Sequence, residues 1–146
     1  MEFSNLNQLE KYLNDKIRNA LDTNVAETAK ETMQMHIQRD VYATYTPYST
    51  DMETPHYIRT GQLLQDVEHS MINDNTLEIK DTRNENGRDI VEVIEEGKGY
   101  EWGYRRDLDE EIGARPFVEN TAIDLEKGLA KEALKQGLKR QGLIVE

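Results

Sequence analysis

The sequence predicts an α+β domain: a small antiparallel sheet of three or four strands packed by a long N-terminal helix and a C-terminal helix. Three observations carry that expectation. Apolar residues keep a helical period through the first third of the chain, β-branched residues and turn formers take over between residues 70 and 103, and a helical period returns after Pro116. A single domain over 1–146 is expected, with the N-terminal helix in 1–45, a loop in 46–60, a short helix and the sheet in 61–106, and the last helix within 112–141.

The first helix rests on apolar residues at 6, 9, 13, 17, 20, 21, 25, 29, 33, 37 and 41. Asp22-Thr23-Asn24 puts three poor helix formers inside it, so a kink or split is expected there. Ser4 is the expected N-cap. So long an element outruns a domain of this size, and part of its apolar stripe is expected to meet another subunit. Residues 46–56 hold two of the three prolines and read as an exposed loop. Arg59-Thr60-Gly61-Gln62-Leu63-Leu64 opens a short helix that runs to about Glu68, with Thr60 as its cap. Met71, Leu77 and Ile79 around Asn73-Asp74-Asn75 read as a hairpin. After a second turn at Asn84-Glu85-Asn86-Gly87, the run from Asp89 to Glu95 reads as a strand. A further short strand contains Tyr100 and Trp102. Pro116 suits the first turn of the final helix, residues 116–141.

Composition excludes several classes of function. With no cysteine among 146 residues, a disulfide scaffold, a thiolate metal site and a cysteine nucleophile are all ruled out. No apolar run approaches a membrane span of about 18 residues. Met1 to Tyr12 lack a basic stretch followed by an apolar one, so no signal peptide is expected and a cytoplasm is the expected place of synthesis. The net charge of −11 is concentrated in residues 46–94, which hold ten acids and four bases, whereas residues 112–146 hold five acids and six bases. The middle of the chain repels polyanions. Lys127, Lys131, Lys135 and Lys139, with Arg140, read as a solvated face whose charge suits a helix C-terminus.

Catalytic patterns are sparse. His36, His56 and His69 are read as having no i, i+4 partner, no HExxH context and no cysteine beside them. Gly97, Gly99 and Gly103 do not form a phosphate loop. Asp107, Asp109, Glu110 and Glu111 lack the spacing of a calcium loop and read as a solvated turn. Glu78-Ile79-Lys80, with Asp66 or Asp74 upstream, carries the letters of a magnesium-dependent nuclease, yet alternating charge on an exposed strand produces the same letters. No catalytic residue, metal or cofactor is expected.

Three local patterns occur together: Tyr57-Ile58-Arg59-Thr60-Gly61-Gln62-Leu63, then Tyr100-Glu101-Trp102-Gly103, then Ala114-Arg115-Pro116-Phe117-Val118. In order and spacing this chain resembles, from about residue 5 to 140, the tail-component family of long-tailed bacteriophages, the neck or tail-completion proteins of HK-type siphophages. Tyr104 stands where that family usually has a small hydroxyl residue. The resemblance implies a virion protein without enzymatic activity. It implies a homo-oligomeric ring, an expected hexamer, that joins the head connector to the tail and contacts neighbouring neck and tail proteins, with DNA only as passing cargo and no membrane. Arg59, Thr60, Gly61, Glu101, Trp102, Gly103, Arg115, Pro116 and Phe117 are the expected structural motif, with Arg115 paired to Glu101 and Pro116 and Phe117 locking helix to sheet. Tyr45, Tyr48 and Tyr57 around the proline loop are the expected partner contacts. The alternatives are a metal-dependent nuclease and a small cytoplasmic protein-binding module.

Overall fold

The computed structural model describes residues 2–43, 61–97 and 113–146. Within them the expected α+β class holds. Helices α1 (Leu6–Ala20) and α2 (Ala26–His36) are followed by α3 (Gln62–Gln65), strands β1 (Val67–Asn73), β2 (Thr76–Asp81), β3 (Asn84–Glu85) and β4 (Arg88–Asp89), then α4 (Ile90–Glu96), α5 (Phe117–Asp124) and α6 (Ala130–Arg140). Wide π-helical turns occupy Leu21–Val25 and Ile37–Tyr42, whereas Leu125–Leu129 is a kink at Gly128, whose non-helical backbone (φ 138°) breaks the helix expected over 116–141 into α5 and α6. The four strands form two separate antiparallel pairs, β1 with β2 and β3 with β4. The chain divides into two compact units, Met1–Thr32 with Glu68–Ile79 and Ala122–Glu146, and Met33–Val67 with Lys80–Thr121.

In the first unit the N-cap of α1 is Asn5, not Ser4. The Asn5 carboxamide oxygen accepts from the Gln8 amide at 3.0 Å, and Gln8 Oε1 accepts from Ser4 N at 3.0 Å and Ser4 Oγ at 2.8 Å. Asparagine competes for the cap as well as serine does, and the Gln8 side chain engages Ser4 as its second donor. The Asp22-Thr23-Asn24 interruption widens the helix rather than breaking it. Thr23 Oγ1 donates to the Asn19 carbonyl one turn back at 2.6 Å, and the π turn Leu21–Val25 absorbs the misfit.

That turn packs on α6 through small side chains. A Cβ on Gly137 would lie 2.9 Å from Ala20 Cβ and 3.0 Å from Asn24 Oδ1, so glycine sets the approach of the two helices. Gln141 closes the contact by donating to the Lys16 carbonyl at 2.8 Å and accepting from Asn19 Nδ2 at 3.0 Å. The β1–β2 hairpin turns at Asp74-Asn75, as the sequence predicts, and is tied to the α1 end of the unit by Arg18–Asp74 (2.6 Å) and His69–Asp22 (3.3 Å).

In the second unit, Met33, Ile37, Val41, Leu63, Val67, Ile94 and Phe117 are buried. Asn86 and Gly87, both at positive φ, turn the β3–β4 ribbon with Asn84 opposite Asp89 and Glu85 opposite Arg88. The predicted strand over Asp89–Glu95 is a helix instead. Asp89 caps it, its carboxylate accepting from Val91 N at 2.9 Å and Glu92 N at 3.3 Å, and Gly97 ends it at φ 69°. Strand propensity in Ile90, Val91, Val93 and Ile94 yields to these two end signals and to the burial of Ile94. The predicted strand around Tyr100 and Trp102, and the loop 46–60, lie outside the described residues.

Candidate functional site

The Arg-Pro-Phe segment forms a buried corner in the second unit. Gly97 comes so close to the backbone of Gly113 and Ala114 that a Cβ there would sit 2.3 Å away, and the Arg115 amide donates to the Ile94 carbonyl at 2.9 Å. Pro116 then directs the chain into α5, where Phe117 is fully buried. The buried Arg115 guanidinium donates to the Val41 carbonyl at 3.4 Å. It thereby satisfies an acceptor of the π turn Ile37–Tyr42, where the ordinary helical bond pattern is interrupted. Glu95 accepts from the Val118 amide at the start of α5. Burial pushes the Glu95 carboxyl above its ordinary value, the Val118 and Glu119 amides pull it back in part, and the Glu119 charge adds to the rise.

A polar network lies in the same unit. His36 Nδ1 stands 2.6 Å from Asp40 Oδ2, Arg39 Nε donates to Asp40 Oδ1 at 2.9 Å, and Asn120 Nδ2 donates to Asp40 Oδ2 at 3.1 Å. The same His36 Nδ1 also stands 3.0 Å from Arg39 Nη2, so the ring nitrogen faces both the carboxylate and the guanidinium. Burial pushes the Asp40 carboxyl up. The hydrogen bonds from Arg39, His36 and Asn120 and the Arg39 charge outweigh that, and it lies below the ordinary 3.8. The His36-x-x-x-Asp40 spacing was in the sequence all along: His36 does have an i, i+4 partner, an acid that fixes the turn. The network joins the π turn to α5 through Asn120 and so helps to set the corner.

Asp81 is the most perturbed acid. Its Oδ1 accepts from the Arg83 amide at 2.9 Å, while Oδ2 is buried with no hydrogen-bond partner. Burial raises its pKa from 3.8 to about 6, with the charges of Asp66 and Asp89 adding and the Arg83 amide and charge opposing. No local pattern in the sequence marks this residue, because only the folded chain brings the three acids into one field.

The remaining predicted positions separate. Gly61 is the N-cap of α3, at φ 77°, the position expected for Thr60. Thr60, Arg59, Glu101, Trp102 and Gly103, and with them the Arg115–Glu101 pair, lie outside the described residues, as do Tyr45, Tyr48 and Tyr57. Of the nuclease-like letters, Asp74 is at the hairpin tip on Arg18, Asp66 accepts from Gln62 Nε2 at 2.6 Å, and Glu78 lies on β2. Among the described residues no three His, Asp or Glu side chains are placed to hold a metal ion. No described helix is long and apolar enough to cross a membrane.

The model of the YomN family matches residues 5–140. This chain belongs to the YomN family. Its similarity extends to the SPbeta prophage-derived uncharacterized protein YomN of Bacillus subtilis strain 168, which is 34% identical over 125 residues, covering 83% of this chain and 81% of that protein. No solved structure matches the chain. The YomN match spans both compact units and the whole Arg115–Phe117 corner.

Proposed function

We propose that this YomN-family chain is a phage protein, a structural subunit of the virion of a long-tailed bacteriophage that forms a ring at the neck or tail-completion joint and makes or breaks no bond. The observation that carries the reading is the use of the motif side chains. Arg115 and Phe117 are buried in the fold and Gly61 turns the chain, as the tail-component resemblance implies for fold determinants. The prophage origin of the relative points the same way. Large apolar side chains left exposed on the first unit, Leu6 at 80%, Ile72 at 61% and Ile144 at 98%, suit a subunit whose remaining burial is supplied by neighbours. Its partners are further copies of itself, an expected hexamer, and the adjoining neck and tail proteins, and its place is the virion. DNA passes without being held, consistent with a net charge of −11.

The test is deletion in an inducible lysogen followed by electron microscopy of the lysate. Heads and tails that accumulate unjoined support the reading, and complete infectious particles overturn it. Magnesium-dependent DNA cleavage by the purified chain, lost in Glu78→Ala, would favour the nuclease alternative instead.

A further inference from the structure

Two charged helix faces remain unpaired on the described surface. In α6 the buried positions are Ala133 and Gly137, and Lys131, Lys135 and Lys139 form a row on the opposite side. In α4 the buried position is Ile94, and Glu92 and Glu96 share the opposite side, while the Asp89 carboxylate ahead of them is taken up by the helix cap. Lys131, Lys139, Glu92 and Glu96 are exposed, and Lys135 is half-buried. None of these five makes an ion pair with another described residue. At 1.5 Å rise per residue, neighbours in the lysine row and the two glutamates are each about 6 Å apart along their helices, so two lysines can face the two glutamates in a single register.

We propose that the lysine face of α6 docks on the acidic face of α4 in a second copy of this chain. A nucleic acid is the other polyanion such a face attracts, but it leaves the acidic face unanswered; a second copy carries the same net charge of −11, yet it answers both faces at equal stoichiometry, so local complementarity has to outweigh the overall repulsion. The two faces differ, so the contact is head-to-tail and leaves a free face of each sign at the ends, which is the kind of interface that closes into rings. The inference deepens the ring reading by naming the surfaces that meet. Exposed charge pairs are individually weak, so the contact depends on several pairs at once and on low ionic strength.

The experiment measures the mass of the full chain by light scattering at low and high salt, for the wild type and two charge-reversed variants, Lys131→Glu with Lys135→Glu and Glu92→Lys with Glu96→Lys. Circular dichroism confirms that each variant is folded. The wild type exceeds its monomer mass of 16.9 kDa at low salt and returns to it at high salt. Each variant alone stays monomeric, and an equimolar mixture of the two regains the higher mass, because each reversed face then meets a face of opposite charge. A wild type that is monomeric at low salt, an association indifferent to salt, or a mixture that stays monomeric overturns the inference. So does a wild type that stays monomeric yet shifts duplex DNA through its lysine row. Open chains that never close leave the docking contact standing and remove the ring, while rings that survive both reversals remove the docking contact and leave the ring.

Discussion

Replacing Asp81 by Asn should stabilise the protein at neutral pH. The native carboxylate holds one oxygen on the Arg83 amide and buries the other without a partner, in the field of Asp66 and Asp89. Its folded pKa of about 6 lies above the unfolded 3.8. Folding therefore favours the protonated form: the stability that Asp81 contributes is fully present below pH 3.8 and is lost as pH rises through about 6. A shift of about 2 units corresponds to about 3 kcal/mol at most. Asp81 is half-buried, so solvent screening brings the usable part to about 1–2 kcal/mol. Asn keeps an acceptor for the Arg83 amide and carries no charge. At pH 7.5 the variant should melt about 2–8 °C above the wild type, and below pH 4 the gap should close. Thermal unfolding followed by circular dichroism across that range measures both. A variant less stable than the wild type at pH 7.5, or a gap unchanged between pH 7.5 and 4, refutes the reasoning.

Three further perturbations probe the same unit. Asp40→Ala takes a hydrogen-bond partner from the buried His36 and should cost about 1–3 kcal/mol at neutral pH. Because the Asp40 pKa is lowered, its contribution is present above 3.8 and is lost as pH falls through the folded value, so urea titrations should show the deficit narrowing in acid. Gly97→Ala forces a side chain into the left-handed region and against the Gly113 and Ala114 backbone, and should lose about 3 kcal/mol or more. Asp89→Ala removes the α4 cap and should cost about 1 kcal/mol in chemical denaturation, and an unchanged midpoint would mean that the cap is not formed in solution.

What the sequence makes legible depends on how far the deciding interaction reaches. The Leu6–Tyr42 helical run, the hairpin about Asp74 and the Pro116 helix start follow from local periodicity and turn chemistry, and the structure contains each. Asp89–Glu95 misleads because four β-branched residues dominate a window whose end signals, Asp89 and Gly97, lie at its margins. The π turns Leu21–Val25 and Ile37–Tyr42 are invisible to period counting, since they shift the helix by a single residue where a threonine or a buried arginine donates to a carbonyl from the side. Arg115 and Phe117 are legible as fold determinants from the motif. The partners of Arg115 at Val41 and Ile94, 74 and 21 residues away, are not. The Asp81 field depends on tertiary placement and is readable only once the chain is folded.

The most direct test of the central claim is quantitative mass spectrometry of gradient-purified virions from an induced lysogen that carries this chain. The account predicts peptides from the chain in the particles, at a fixed ratio to the capsid protein and resistant to salt washing. Abundant chain in the lysate and none in the particles contradicts it.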